Sequence, residues 1–316
     1  MKKLFFLIFV AAFFSCSNER TVRFAVCTDV HHDLIHDGSD KLSTFIKTAK
    51  KEKADFIIQL GDFCMPYEKN GPFLKIWNEF ERPRYHVLGN HDMDVSPKIV
   101  TQQFLGLEKS YYSFDHGDFH FIVLDANFFK SGDRYFNYQN GNYFNHAETR
   151  AQIPPVQLEW LKKDLAETDK YTIVFSHQSL EHWGGIKNRK QVRQIFREAN
   201  RDKKKVIACF CGHDHSDRYL EIDGIHYIGL NSMSYVWVGK KLEYSGRFPE
   251  KIEAKYSNLK YTLPFRNPVF AVVEVNSNGE IKIEGIQSSF IPPDPEELGA
   301  KNHNYSAKIS NRTLYF

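Results

Sequence analysis

Five short segments carry side chains that could do chemistry: Thr28-Asp29-Val30-His31, Gly61-Asp62, Gly89-Asn90-His91-Asp92, Ser176-His177 and Gly212-His213-Asp214-His215. Imidazole nitrogen with carboxylate and amide oxygen, and no thiolate, is a borderline-to-hard donor set that suits Mn, Fe, Zn or Ni. Seven or eight such donors exceed what one ion of four to six coordination can use. Two ions sharing a bridging carboxylate would use them all. A pair of metals about 3.5–4 Å apart is a known clamp for in-line phosphoryl displacement. The residue types alone therefore point to a binuclear hydrolase.

Such a cluster needs elements that deliver each segment to one place. Val22 to Cys27, Phe56 to Leu60 and Tyr85 to Leu88 read as short buried strands, and each runs directly into one of the segments. Between them Leu42, Phe45, Ile46 and Ala49, then Phe73, Leu74, Ile76, Trp77 and Phe80, recur at helical spacing. The order βαβαβ implies parallel strands with helical crossovers. Tyr111 to Phe114 and Phe119 to Leu124 flank His116-Gly117-Asp118 as a hairpin. Tyr171 to Phe175 and Val206 to Phe210 are further buried strands, with helices predicted from Val156 and through Val192 to Ala199. Ligands of open α/β sheets bind at the carboxyl ends of strands, so five strand ends bearing Asp, Asn and His should form one rim. Asp223-Gly224 and Asn276 to Gly279 mark later hairpins.

The ordered set resembles the five blocks of the calcineurin-like metallophosphoesterase superfamily, over residues 22–230. The resemblance implies an α/β fold: a β-sandwich of mixed sheets flanked by α-helices, with loop insertions over the metal site. It implies that Asp29, His31 and His215 hold a first divalent ion, that Asn90, His177 and His213 hold a second, and that Asp62 bridges them. His91 matches a histidine that contacts the phosphoryl group and helps protonate the leaving alkoxide, with Asp92 holding its ring. The implied activity is hydrolysis of a small-molecule phosphate ester by in-line attack of a metal-bridging hydroxide. A diester or nucleotide-type substrate is slightly favoured over a monoester. A non-catalytic scaffold on the same fold is the alternative from another class, and the intact His91 and full donor set count against it.

The preference for diesters comes from the loops. Residues 127–155 hold Phe128, Phe129, Tyr135, Phe136, Tyr138, Tyr143 and Phe144 with no regular period, and are expected to form a partly ordered lid, or else an extra packed subdomain. Residues 235–268, with Trp237, Tyr244 and Phe248, are expected on the other side. His32 is read as structural, His182 and Trp183 mainly as loop packing, Asn231 as a possible supporter of the rim, and 286–316 as an extended tail. Residues 21–316 are thus read as one elaborated domain.

The first sixteen residues read as an address. Lys2 and Lys3 precede eleven uncharged apolar residues, Leu4 to Phe14, too few for a bilayer-spanning helix of about 20. Ending at Ser15-Cys16, the segment resembles a bacterial lipoprotein signal, which implies export to the cell envelope and a lipid anchor at Cys16 as the sole membrane link. Cleavage after Ala12 and a retained anchor are the rival readings. The formal charge of +3 falls to +1 once Lys2 and Lys3 go, and shows no basic footprint for nucleic acid. Cys27, Cys64, Cys209 and Cys211 would remain, read as buried apolar residues with a disulfide left open.

Overall fold

The computed structural model describes residues 21–301 and 303–316; the expected export signal and Cys16 lie outside the described residues. The chain opens with β1 (Thr21–Cys27), α1 (Gly38–Lys51), β2 (Phe56–Gln59), α2 (Gly71–Asn78) and β3 (Arg84–His86). These three strands pair in parallel, as the two helical crossovers require. After α3 (Lys98–Leu105), a helix absent from the sequence reading, come the hairpin of β4 (Tyr112–His116) and β5 (Phe119–Val123) and a smaller one of β6 (Phe128–Ser131) and β7 (Arg134–Asn137). Then follow α4 (Pro155–Glu167), β8 (Tyr171–Ser176), α5 (Arg189–Ala199), β9 (Val206–Cys211), β10 (Arg218–Ile222) and β11 (Ile225–Gly229). The last third adds β12 (Tyr235–Trp237), α6 (Glu250–Lys255), β13 (Thr262–Pro264), β14 (Ala271–Asn276), β15 (Glu280–Gly285) and β16 (Arg312–Tyr315).

Two six-stranded mixed sheets result, ordered β16-β15-β14-β1-β2-β3 and β10-β11-β9-β8-β5-β4. Alternation along β1 explains how they stack. Phe24 and Val26 point into the apolar layer between the sheets, while Ala25 and Cys27 face the layer built by α1 and α2. The second sheet does the same: Phe121, Phe175 and Phe210 enter the sandwich, whereas Ile122, Val174 and Cys209 pack under α4 and α5. The fold is therefore an α/β sandwich of mixed sheets with helices on its outer faces.

Aromatic side chains dominate its centre. Phe24 stacks on Phe56 at 5.0 Å, and the rings of Phe121, Phe175 and Phe210 meet Phe24 edge-on at 5.7–6.0 Å. Such pairs add about 0.5–1.5 kcal/mol each beyond area burial. Aromatic rings thus fill the sandwich as well as the loops around the rim.

The tail is structural. β16 pairs with β15 and extends the first sheet, and Ile309 is wholly buried in the sandwich. Asn231 donates through Nδ2 to Ser306 O at 2.6 Å, so it ties down this segment rather than supporting the rim. All four described cysteines are free and buried, as apolar residues would be. Among the described residues no helix is long and apolar enough to cross a membrane.

Candidate metal centre

At the rim the backbone leaves each strand in an unusual conformation. Asp29, His31, Asp62, His213 and His215 all have positive φ, between 45° and 68°. Left-handed non-glycine residues cost on the order of 1–3 kcal/mol each, and persist where surrounding bonds over-determine them. Here Asp29 N donates to Gly61 O at 3.0 Å, His31 N to Asp62 O at 2.9 Å and Gly212 N to His177 O at 3.0 Å. Ser232 Oγ and Ser234 Oγ donate to the carbonyls of Asp29 and Val30 at 2.7 and 2.9 Å. Close approach demands glycine at two points. A Cβ on Gly89 would lie 2.0 Å from Asp62 N, and one on Gly212 1.9 Å from Thr28 Oγ1.

These turns bring seven of the nine singled-out side chains into two adjoining groups. Asp29, His31 and His215 form one, and Asp62, His177 and His213 the other, each with its donor atoms within 4.8 Å of one another. Asn90 Oδ1 joins the second group, 3.2 Å from His177 Nε2. Asp62 lies between the groups: its Oδ2 is 3.7 Å from His31 Nε2 and 3.2 Å from His177 Nε2.

The protons explain why these atoms need an ion. His215 Nδ1 lies 3.0 Å from Tyr235 O, and His177 Nδ1 lies 2.8 Å from Leu60 O. A carbonyl can only accept, so each Nδ1 carries a hydrogen and each neutral ring turns the Nε2 lone pair inward. His215 Nε2 then faces Asp29 Oδ1 at 3.2 Å and His31 Nε2 at 3.2 Å. Asp29 Oδ1 is fully buried without a hydrogen-bond partner, while Oδ2 accepts from Thr28 Oγ1 at 2.6 Å and His213 N at 3.0 Å. Converging, unshared lone pairs are what a divalent cation satisfies, so the donor set fits metal. Protonation is the other way to satisfy them. Burial opposes charge on His177, but Asp62 outweighs it and pushes the ring up to about 10; at His31 burial, reinforced by His215 and His91, outweighs the pull of Asp62 and Asp29 and drops the ring to about 3.

His91 stands beside the two groups rather than in them. Its side chain is 34% exposed, enough to meet a ligand. Nδ1 donates to Asp94 Oδ2 at 2.8 Å. Tyr143 Oη lies 3.0 Å from the same nitrogen, donates to Asp94 Oδ1 at 2.6 Å and accepts from Asn90 Nδ2 at 3.2 Å. Burial works against protonation of His91, yet Asp62 and Asp94 raise it to about 9.

Asp92, expected to hold this ring, does something else. It is buried beneath the loops, where its carboxylate accepts the backbone N–H of Phe63 and of Gly89, both at 2.8 Å. It clamps the turns carrying Asp62 and Asn90 together, and Asp94 orients His91. Tyr143, Ser232, Ser234 and Tyr235 were also missed. The 127–155 segment, expected as a partly ordered lid or an extra packed subdomain, contains β6 and β7, buries Tyr138 and Tyr143, and reaches the site through Tyr143. His32 stacks on Phe73 at 4.0 Å, a structural role.

Two lobes of one cleft meet at the rim. The larger, about 580 Å³, has Leu34, Met65, Phe144, Tyr235 and Trp237 among its walls. The other, about 370 Å³, is bordered by Tyr143, Phe144, Arg150, Gln178, Trp183 and Lys187. Both share His91, Phe144 and His213. The cleft is thus centred on the two donor groups.

A sandwich whose strand ends carry two candidate metal-ligand groups, with a histidine beside them in the cleft, fits a class of metal-dependent phosphoryl-transfer hydrolases. The calcineurin-like phosphoesterase family model matches residues 22–217, and the chain belongs to that family. It is a metal-dependent hydrolase acting on phosphate esters. A manganese-dependent ADP-ribose/CDP-alcohol diphosphatase from Oryza sativa subsp. japonica is 23% identical over an alignment of 275 residues, covering 68% of this chain and 84% of the relative. The crystal structure of a dimetal phosphatase from Danio rerio superposes with a TM-score of 0.58 at 15% identity, over 85% of this chain and 98% of that one. GAP50, the anchor in the inner membrane complex of Plasmodium, superposes at 0.52 with 19% identity, over 92% and 89%. At such identities the likeness of the solved structures is one of fold.

Proposed function

We propose that the chain is a binuclear phosphohydrolase whose substrate extends on both sides of the scissile phosphorus, as a phosphodiester or a nucleotide-type diphosphate does. The observation that carries this is the cleft with two lobes meeting over the donor groups. A monoester would fill only one of them. The diphosphatase activity named for the Oryza relative supports the same reading.

Asp29, His31 and His215 would hold one divalent ion, and Asn90, His177 and His213 the other, with Asp62 shared between them. Such ions polarise phosphoryl oxygens and acidify water so that a nucleophile exists at neutral pH. The protein's own part is positional and protic. His91, held by Asp94 and Tyr143, presents Nε2 to the cleft as a donor to a phosphoryl oxygen or a departing alkoxide. Tyr235 stacks on the His31 ring at 5.2 Å and fixes His215 through its carbonyl. Apolar walls limit water around the ester.

The test is a side-by-side profile of the manganese-loaded chain on aryl monophosphate, bis-aryl phosphate and nucleotide diphosphate esters. Turnover of the last two above the monoester is expected; exclusive monoester turnover would sink the reading. His91→Asn should lower kcat on an alkyl ester by about 10²–10⁴-fold while leaving two metals bound. Loss of both metals in that variant would remove His91 from its role. Residues 1–16 carry the companion proposal of export and lipid anchoring: metabolic labelling with palmitate should mark the wild type and not Cys16→Ser.

A further inference from the structure

The second lobe differs from the first in one respect that the hydrolase reading leaves unused. Arg150 and Lys187 both border it, are half-buried, and make no side-chain hydrogen bond or ion pair with any described residue. Most other partly buried cations of this chain do: Arg23 pairs with Glu274, Arg218 with Glu181 and Asp214, and Arg312 with Asp217. Arg150 instead lies over the Tyr143 ring, 5.8 Å from its centroid, which keeps the guanidinium next to the residue that orders His91. Lys187 is anchored from behind, since its N–H donates to Ala151 O at 2.8 Å, one residue beyond Arg150. One acid, Glu148, shares the lobe, leaving it net positive.

Unpaired cations held half out of water beside a metal site are poised for a polyatomic anion, and a guanidinium fork matches phosphate oxygens in pairs. We infer that this lobe is the subsite for the second, non-scissile phosphate of a diphosphate-linked substrate, gripped by Arg150 and Lys187; the inference rests on the hydrolase reading and names its substrate class. Water adds to the phosphorus over the donor groups, and the bond from that phosphorus to the bridging oxygen breaks. The bridging oxygen keeps the electron pair and leaves as part of the second phosphate. Two phosphomonoesters result, and the protons of water pass to them or to solvent. A monoester loses its second proton near pH 6, so this leaving group needs charge neutralisation more than a proton. Arg150 and Lys187 would supply it. The aromatic lobe beside Tyr235 and Trp237 is left for the organic group on the other side.

Two readouts test this separately from the hydrolytic reading. The first is equilibrium binding of methylene-bridged ADP, which cannot be cleaved between its phosphorus atoms, against AMP on the manganese-loaded chain. The wild type should favour the diphosphate analogue by at least about 10-fold, the scale of one charge-assisted hydrogen bond. Arg150→Gln with Lys187→Gln should erase that preference, and Glu148→Gln should raise it by about 2- to 5-fold. The second is the ratio of kcat/KM for a nucleotide diphosphate ester to that for bis-aryl phosphate, expected to fall by about 10- to 100-fold in the double variant. Unchanged preference in the double variant overturns the subsite. Retained analogue preference in a wild type that cleaves no diphosphate leaves the subsite standing and overturns the hydrolytic reading instead.

Discussion

The rim and the sandwich beneath it are built from the same strands and obey opposite rules. Phe24 and Val26 of β1 lie at 0% exposure among aromatic rings; three residues after Val26, Asp29 is equally buried yet charged, left-handed in φ and facing other lone pairs. The core is filled by apolar side chains in favourable ring geometries. The rim holds carboxylates and imidazoles together against burial and repulsion. A buried group without its counterpart costs several kcal/mol. The sandwich supplies the rigidity that makes the strained rim tolerable.

The sharpest way to break this contrast is to remove the shared carboxylate. Asp62→Ala should cut kcat/KM by at least about 10³-fold, given that metal polarisation contributes several kcal/mol. Elemental analysis should find fewer than two metals per chain, while the metal-free protein melts no lower than wild type. Full activity with two metals retained would show that the rim does not depend on Asp62.

The reciprocal change belongs to the core. Phe24→Ala should destabilise by about 3–5 kcal/mol in denaturant unfolding, with metal stoichiometry unchanged where the protein remains folded. If metal binding fell in step, rim and core would be one unit rather than two.

A smaller effect comes from the link between the two regions. Tyr143→Phe keeps the packed ring but deletes the hydroxyl shared by Asp94, His91 and Asn90. A drop of about 10-fold in kcat is expected, the weight of one or two net hydrogen bonds, with little change in melting temperature. A purely structural Tyr143 would shift stability and spare kcat.

The smallest effect lies on the far face of the second sheet. Burial opposes charging of His120, but Asp164 and Asp115 outweigh it and raise the ring above 6.5. A raised folded value means the stabilisation is complete below pH 6.5 and is lost as pH rises through the raised value. The melting gap between wild type and His120→Gln should therefore narrow above pH 6.5. It should be on the order of 1 kcal/mol, because half-exposed Asp115 is screened by solvent while His120 and Asp164 are not. A gap that widens with pH would reverse the assignment.

How much of this was legible in the sequence differs from residue to residue. All seven candidate donors stood out because each closely follows a strand, three of them directly after a glycine. Asp94 did not. His91 to Met93 form a 3₁₀ turn, and in that geometry residues i and i+3 eclipse while i+1 points away. Asp94 therefore meets His91, and Asp92 turns beneath the loops. Tyr143 lies 52 positions from His91, where no local pattern could connect them. The hairpin of β6 and β7 escaped notice because its half-buried strands are too short to show a period.

What the sequence determined by itself is the chemistry: which side chains can serve as ligands, that they follow strands, and that those strands are short and buried. These are local facts, set by neighbours in the chain. Only the tertiary structure decided which carboxylate holds His91, that aromatic rings fill the centre of the sandwich, that residues 312–315 extend a sheet, and that Arg150 and Lys187 border the same cleft as the donor groups. Each of these depends on packing between elements far apart in the chain, and such packing leaves no mark in the spacing of residues along it.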